Sequence, residues 1–229
     1  MSRGAFITFE GSEGCGKSTQ VLRLAARLEQ AGVRVLITRE PGGTAIGEKI
    51  RDLLQFAPES FAMTPETELL LFEASRSQLV RELIRPALEQ GTAVISDRFF
   101  DSTTVYQGVA RKLDPEMVAT LNHFAVGPDR PDLTIVLDVD VATARARMLR
   151  RVRPVAAVDR MEQEPIEFYE KVCEAYRALA RAEPERCLLL EGARSPDEIE
   201  NQIWDAVSRR FPIFAVTDKS KIANRQSKL

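Results

Sequence analysis

The sequence predicts an α/β fold in which a five-stranded parallel sheet carries helices on both faces. Two observations point to it. Five short apolar runs, at Phe6-Ile7-Thr8-Phe9, Val33 to Ile37, Ala93-Val94-Ile95-Ser96, Leu133 to Leu137 and Cys187 to Leu190, alternate with longer segments of helical period. Strands that alternate with helices join into parallel sheets through crossover connections. The first run also leads directly into a glycine-rich loop and a helix, which puts that loop at the carboxyl edge of the sheet.

The loop reads Gly11-Ser12-Glu13-Gly14-Cys15-Gly16-Lys17-Ser18, followed by Thr19. It matches G-x-x-x-x-G-K-[ST], and Val21, Leu22, Leu24, Ala25 and Leu28 continue it at helical spacing. Its glycines let successive N–H groups turn inward on phosphate oxygens. A helix starting near Lys17 adds unpaired donors and a positive dipole end. Lys17 supplies a full charge for terminal phosphates, and the Ser18 hydroxyl suits a Mg²⁺ that already carries waters and phosphate oxygens. The expectation is a triphosphate donor site from Gly11 to Thr19.

Gly32 ends this helix, and the second strand delivers Arg39-Glu40-Pro41-Gly42-Gly43-Thr44 to its carboxyl end. Ligands bind at that edge, so Arg39 and Glu40 face a ligand or else are surface charge. A short helix with Ile46, Ile50, Leu53 and Leu54 carries Arg51. Thr64-Pro65 starts a longer helix with a capping hydroxyl and a proline in the first turn. Pro86 is expected to interrupt it before Gly91. Phe72 and Arg76 stand four apart and share a face. Such a pair either stacks on a base and donates to it, or is core with rim charge. The third strand delivers Asp97-Arg98, which reads as an aspartate holding Mg²⁺ through water and an arginine holding a second phosphate, or as a structural pair. Asp101 to Gly108, with Thr103 and Gln107, opens a helix rich in hydrogen-bonding groups.

Pro115 begins a helix through Leu121 and Phe124, and Asp140 caps another from Val141 to about Arg151. Arg147, Arg150, Arg151, Arg153 and Arg160 surround the irregular Pro154-Val155-Ala156-Ala157. The expectation is a basic lid at about 147–160 that closes over polyphosphate, the alternative a solvated basic face. Pro165 starts a helix whose Tyr169, Val172, Cys173, Tyr176, Leu179 and Ala180 form a core stripe, and Ser195-Pro196-Asp197-Glu198 reads as a capping box. Periodicity disappears from Pro212 onward, which predicts one domain at 1–211 and a flexible tail at 212–229.

Composition removes several classes. The 34 acidic and 32 basic side chains give a formal charge of −2, hence no global attraction to nucleic acid. No apolar run nears the roughly 18 residues of a membrane span, and the start lacks a signal-peptide pattern, so a cytoplasmic location is expected. Cys15, Cys173 and Cys187 lack the spacing of a zinc site or a disulfide framework. His123, the single histidine, falls among apolar residues, which leaves Ser-His-Asp chemistry without a base.

Taken together, the motifs resemble the bacterial thymidylate kinase family from about Arg3 to Phe211. The resemblance rests on Phe9-Glu10-Gly11 through Thr19, Thr38 to Thr44, Leu71-Phe72-Glu73-Ala74-Ser75-Arg76, Asp97-Arg98 through Gly108, and Asp159-Arg160-Met161-Glu162, in that order. It implies a P-loop nucleoside monophosphate kinase fold that converts ATP and dTMP to ADP and dTDP, with Mg²⁺ as cofactor, for dTTP supply, and a homodimer. By resemblance Phe72 stacks on thymine, and Arg76, Thr103 and Gln107 contact the base. Arg98, with Arg39 and Arg51, clamps the monophosphate. Glu40 and Asp97 lie around Mg²⁺ and the phosphates, and Glu13 lies near the sugar. With no arginine in the phosphate loop, the resemblance implies a catalytic arginine from the lid, Arg153 in preference to Arg147 or Arg151. Lys17, Arg98, Arg153 and Asp97 would then carry the chemistry. Phe99 stands where tyrosine is commoner in the family, Val105 where alanine is, and Pro154 to Ala157 are more apolar than related lids. The competing readings are a kinase for another nucleoside monophosphate and a regulatory ATPase. A GTPase is disfavoured because neither Asn-Lys-x-Asp nor Thr-Lys-x-Asp occurs.

Overall fold

The structure is a computed structural model that describes residues 3–150, 160–212 and 214. Its strands β1 (Phe6–Glu10), β2 (Val35–Arg39), β3 (Ala93–Asp97), β4 (Leu133–Asp138) and β5 (Cys187–Glu191) form one sheet in the order β2-β3-β1-β4-β5. Every pairing is parallel, as the alternation of strands and helices predicts. The central strand β1 is buried at all its positions, because helices cover both faces of the sheet.

One face belongs to α1 (Lys17–Gln30) and α9 (Pro196–Arg210), whose Val21, Leu24, Leu28, Ile199, Ile203 and Val207 pack with Ile7, Phe9 and Ile135. The other face takes Phe6 and Val94 against Leu79, Ile84 and Phe99, and Val136 against Val105, Phe168, Val172 and Tyr176. The period of two along β1 therefore assigns Thr8 and Glu10 to this second face beside Phe6. Thr8 and Thr134 share a hydroxyl hydrogen bond there at 2.8 Å.

Local chemistry sets the helix starts. Thr44 caps α2 (Ala45–Gln55), Thr64 caps α3 (Pro65–Leu79), Asp114 caps α6 (Pro115–Val126) and Asp140 caps α7 (Val141–Leu149). Ser195 and Glu198 form the expected capping box on α9. The helix α8 (Ile166–Ala182) follows Pro165.

Three features refine these expectations. The interruption at Pro86 takes the form of a π turn at Val80–Ile84 between α3 and α4 (Arg85–Glu89), so the proline lies in the first turn of a new α segment. There its missing N–H is tolerated. The segment after β3 is a short α5 (Phe100–Thr103) that widens into π-helix at Thr104–Ala110. The packed core also extends past residue 211, because Phe214 is buried with its ring 5.4 Å from that of Phe211. Arg151, Arg153 and Pro154 to Ala157 of the expected lid lie outside the described residues, as does the tail from 215.

Candidate active site

The phosphate loop turns where only glycine fits. Gly11 and Gly14 hold φ angles of 132° and 76°. A Cβ on them would stand 2.4 Å from the carbonyl oxygen of Leu137 and 2.5 Å from that of Ala144. Gly16 caps α1 in a left-handed conformation with no side-chain cap, which leaves the first-turn N–H groups for an anion. The buried Lys17 ammonium donates to the carbonyls of Gly11 at 3.0 Å and Ser12 at 2.8 Å, spanning the loop.

A cleft of about 300 Å³ begins here at Glu13, Gly14, Gly16, Lys17 and Ser18. It passes Asp97, Arg98, Arg39, Glu40 and Arg51 and reaches Phe72, Thr103, Tyr106 and Gln107. Gly11, Ser12, Cys15 and Thr19 complete the loop without forming the cleft wall. The strand register produces this convergence: Asp97 lies opposite Phe9 on one side and Arg39 on the other. Ser18 Oγ donates to Asp97 Oδ2 at 2.7 Å. Arg39 pairs with Glu48 at 2.7 Å, and Arg51 donates to the carbonyl of Pro41 at 3.0 Å.

Arg98, which lines the cleft, is a non-glycine residue with φ of 73°. Its guanidinium donates to Glu13 at 2.7 Å, Ser102 Oγ at 3.0 Å and Tyr176 Oη at 3.3 Å, and lies 5.1 Å from the centre of the Tyr106 ring. Burial alone would weaken its charge, but Tyr106, Glu13, Tyr176 and Glu10 hold its pKa well above the ordinary value. Tyr106 Oη donates to Glu13 at 2.8 Å. Below them, Glu10 accepts from the Phe99 N–H at 2.8 Å, Ser102 Oγ at 2.6 Å and Tyr176 Oη at 2.7 Å. Burial, reinforced by Asp101, raises the Glu10 pKa. Sequence reasoning missed Glu10 and Tyr176 as parts of this site. The available signal was a carboxylate closing an otherwise apolar buried strand, and the tyrosine read only as core.

Phe72 and Arg76 separate in a way the helical spacing does not reveal. Phe72 lines the cleft, whereas Arg76 is buried behind it. All five guanidinium N–H groups of Arg76 are engaged: two with Glu40 Oε2 at 2.6 and 2.8 Å, and one each with Glu73 at 2.6 Å, Asn122 at 3.1 Å and Thr103 at 3.0 Å. Arg76 thereby holds Glu40 and Thr103 at the wall. Burial pushes the Glu40 carboxyl up to about 7 despite Arg76, and burial likewise raises Glu73.

Gln107 donates from Nε2 to Glu68 Oε1 at 2.6 Å. Glu68 also accepts from Arg111 and Arg160, and Arg160 donates to the carbonyl of Leu54 at 3.2 Å. Arg160 is thus a buried anchor and no part of a solvated basic face. Arg147 donates to the carbonyl of Gly192 at 2.9 Å. Among the described residues no group of three or more His, Cys, Asp or Glu side chains could hold a metal ion, and no helix is long and apolar enough to cross a membrane.

Against known proteins, the chain is 47% identical to a thymidylate kinase of Geobacter sulfurreducens, over 91% of this chain and 99% of that one. It is 45% identical to a thymidylate kinase of Deinococcus radiodurans, over 92% and 99%. The crystal structure of thymidylate kinase from Ehrlichia chaffeensis superposes with a TM-score of 0.72 at 32% identity, covering 90% of this chain and 99% of that one. A family model described as thymidylate kinase matches residues 9–203, so the chain that builds this cleft belongs to the thymidylate kinase family.

Proposed function

We infer that the chain transfers the terminal phosphoryl group of ATP to dTMP, giving ADP and dTDP. The observation that carries this reading is one continuous cleft, from the phosphate loop past Arg98 to Phe72, Thr103 and Gln107. The donor phosphates belong on the N–H groups of Gly14 to Thr19 and on Lys17. The acceptor phosphate belongs at Arg98, with Arg39 and Arg51 on the same wall. The base belongs against the Phe72 ring, and Glu13 stands between loop and acceptor, on the sugar. A monophosphate is already an anion at neutral pH, so the reaction needs alignment and charge neutralisation rather than a strong base.

Ser18 and Asp97 present hard oxygen donors side by side at the edge of the cleft, a set that fits Mg²⁺ retaining most of its waters. When bound, the ion neutralises charge on the donor phosphates. For the lid arginine we choose Arg153, with Arg151 as the alternative. Arg147 is bonded to Gly192 and reads as a strut. We also read the protein as a cytoplasmic homodimer, since Leu70, Val109, Met117 and Phe124 are exposed on neighbouring elements; sedimentation measures the state.

A panel of acceptors with ATP and Mg²⁺ tests the activity. The expected result is turnover of dTMP well above that of AMP, UMP or dCMP. Activity on AMP or UMP with none on dTMP overturns the assignment, and ATP hydrolysis at one rate with and without dTMP favours a regulatory ATPase.

A further inference from the structure

A carboxamide has a donating end and an accepting end of nearly equal size, and a half-turn exchanges them. Which end Gln107 shows to the cleft is therefore decided by what holds its other end. That partner is Glu68, buried on α3, whose Oε1 accepts from Gln107 Nε2 at 2.6 Å and from Arg111 Nε at 3.3 Å. Its Oε2 accepts from Arg111 Nη2 at 3.3 Å and from Arg160 Nη2. Burial pushes the Glu68 carboxyl up, but Arg111, Arg160 and Gln107 outweigh it and keep the pKa below the ordinary value. An ionised carboxylate only accepts, so the Gln107 nitrogen must face it. The Gln107 carbonyl oxygen is left over. Among the described residues no donor reaches that oxygen, and Gln107 lines the cleft.

We propose that Glu68 fixes the hydrogen-bond polarity of Gln107, so that the cleft offers an acceptor to the base and selects a pyrimidine with an N–H at N3 over one with a lone pair there. Thymine has that N–H; cytosine has the lone pair. The proposal rests on the reading of the cleft as the dTMP site and deepens it. Glu68 acts through Gln107 and is a positioning residue.

The geometry defines an informative variant. In Glu68→Gln, the Oε2 place keeps the oxygen, because Arg160 and Arg111 Nη2 both donate to it, whereas the Oε1 place faces only the 3.3 Å bond from Arg111 Nε besides Gln107, whose amide can turn. The new amide nitrogen then takes the Oε1 place and faces Gln107, which turns its own carbonyl inward and its NH₂ to the cleft. Calorimetric titration of the wild type and the variant with dTMP and with dCMP reads this polarity without any phosphoryl transfer. The expected result is a fall of at least about tenfold in the preference for dTMP over dCMP, from weaker dTMP and tighter dCMP binding. A merely structural role for Glu68 would weaken both nucleotides alike, and an unchanged preference overturns the proposal. If Glu68→Gln does not fold, Gln107→Leu decides: the preference should collapse without any gain for dCMP, and an intact preference overturns the proposal. Selective binding of dTMP with no turnover would instead contradict the catalytic reading while supporting this one.

Discussion

Arg98 Nη2 lies 2.7 Å from Glu13 Oε1, so a partly buried ion pair ties the residue after β3 to the middle of the phosphate loop. The two halves of the cleft are thereby positioned by each other. Arg98→Lys preserves the charge but not the fork that reaches Glu13, Ser102 and Tyr176 together. We expect kcat/KM for dTMP to fall by about 100-fold with both terms affected, as measured by steady-state kinetics with dTMP varied.

Asp97 meets Ser18 at the cleft edge and is partly exposed. Asp97→Asn removes one hard oxygen charge at small cost to the fold. The Mg²⁺ concentration for half-maximal rate should rise roughly 10- to 100-fold, as read by titrating Mg²⁺ at fixed ATP and dTMP.

Glu40 gives a pH dependence with a definite sign. Burial raises its carboxyl from the ordinary 4.5 to about 7, against the pull of Arg76. Between those values the native state keeps a proton that the unfolded chain has released. This contribution to stability is fully present below pH 4.5 and is lost as pH rises through 7. Urea unfolding at constant ionic strength should show a component that declines with pH in that window, by at most about 1.4 kcal/mol per pH unit for one proton. Glu40→Gln should flatten it.

Away from the cleft, Asp101 is fully buried and accepts two parallel bonds from Arg186, at 2.7 and 2.8 Å, and one from Thr134 at 3.1 Å. Asp101→Ala removes both parallel bonds and leaves the Arg186 guanidinium with Glu183 and Thr134 alone. The expected loss is about 3–5 kcal/mol of unfolding free energy by denaturant titration.

The sequence made the parts that rest on local chemistry readable. The phosphate loop needs glycines at tight approaches, the helix starts need caps, and Asp97 and Arg98 follow an apolar strand directly. Other parts depend on which strands become neighbours. Glu10 meets Ser102 and Tyr176 only once β1 lies between β3 and β4, and Arg76 finds Glu40 and Asn122 only after α3 docks. Helical spacing placed Phe72 and Arg76 on one face correctly but carries no information on how deep each lies. The π turns leave no trace, because a shift of one residue in hydrogen bonding over so short a stretch does not change the apolar period.

The strand order also bears on how the molecule folds. The central strand pairs Phe6 with Val94 and Ile7 with Leu133, so neither edge of β1 can be satisfied by nearby chain. Contacts of such sequence separation close slowly, because loop entropy must be surrendered before they form. The phosphate loop hangs from β1, and the Leu137 carbonyl that its Gly11 packs against comes from β4. Nucleotide binding during refolding should therefore report completion of the sheet, and a nascent chain released before residue 133 should lack it.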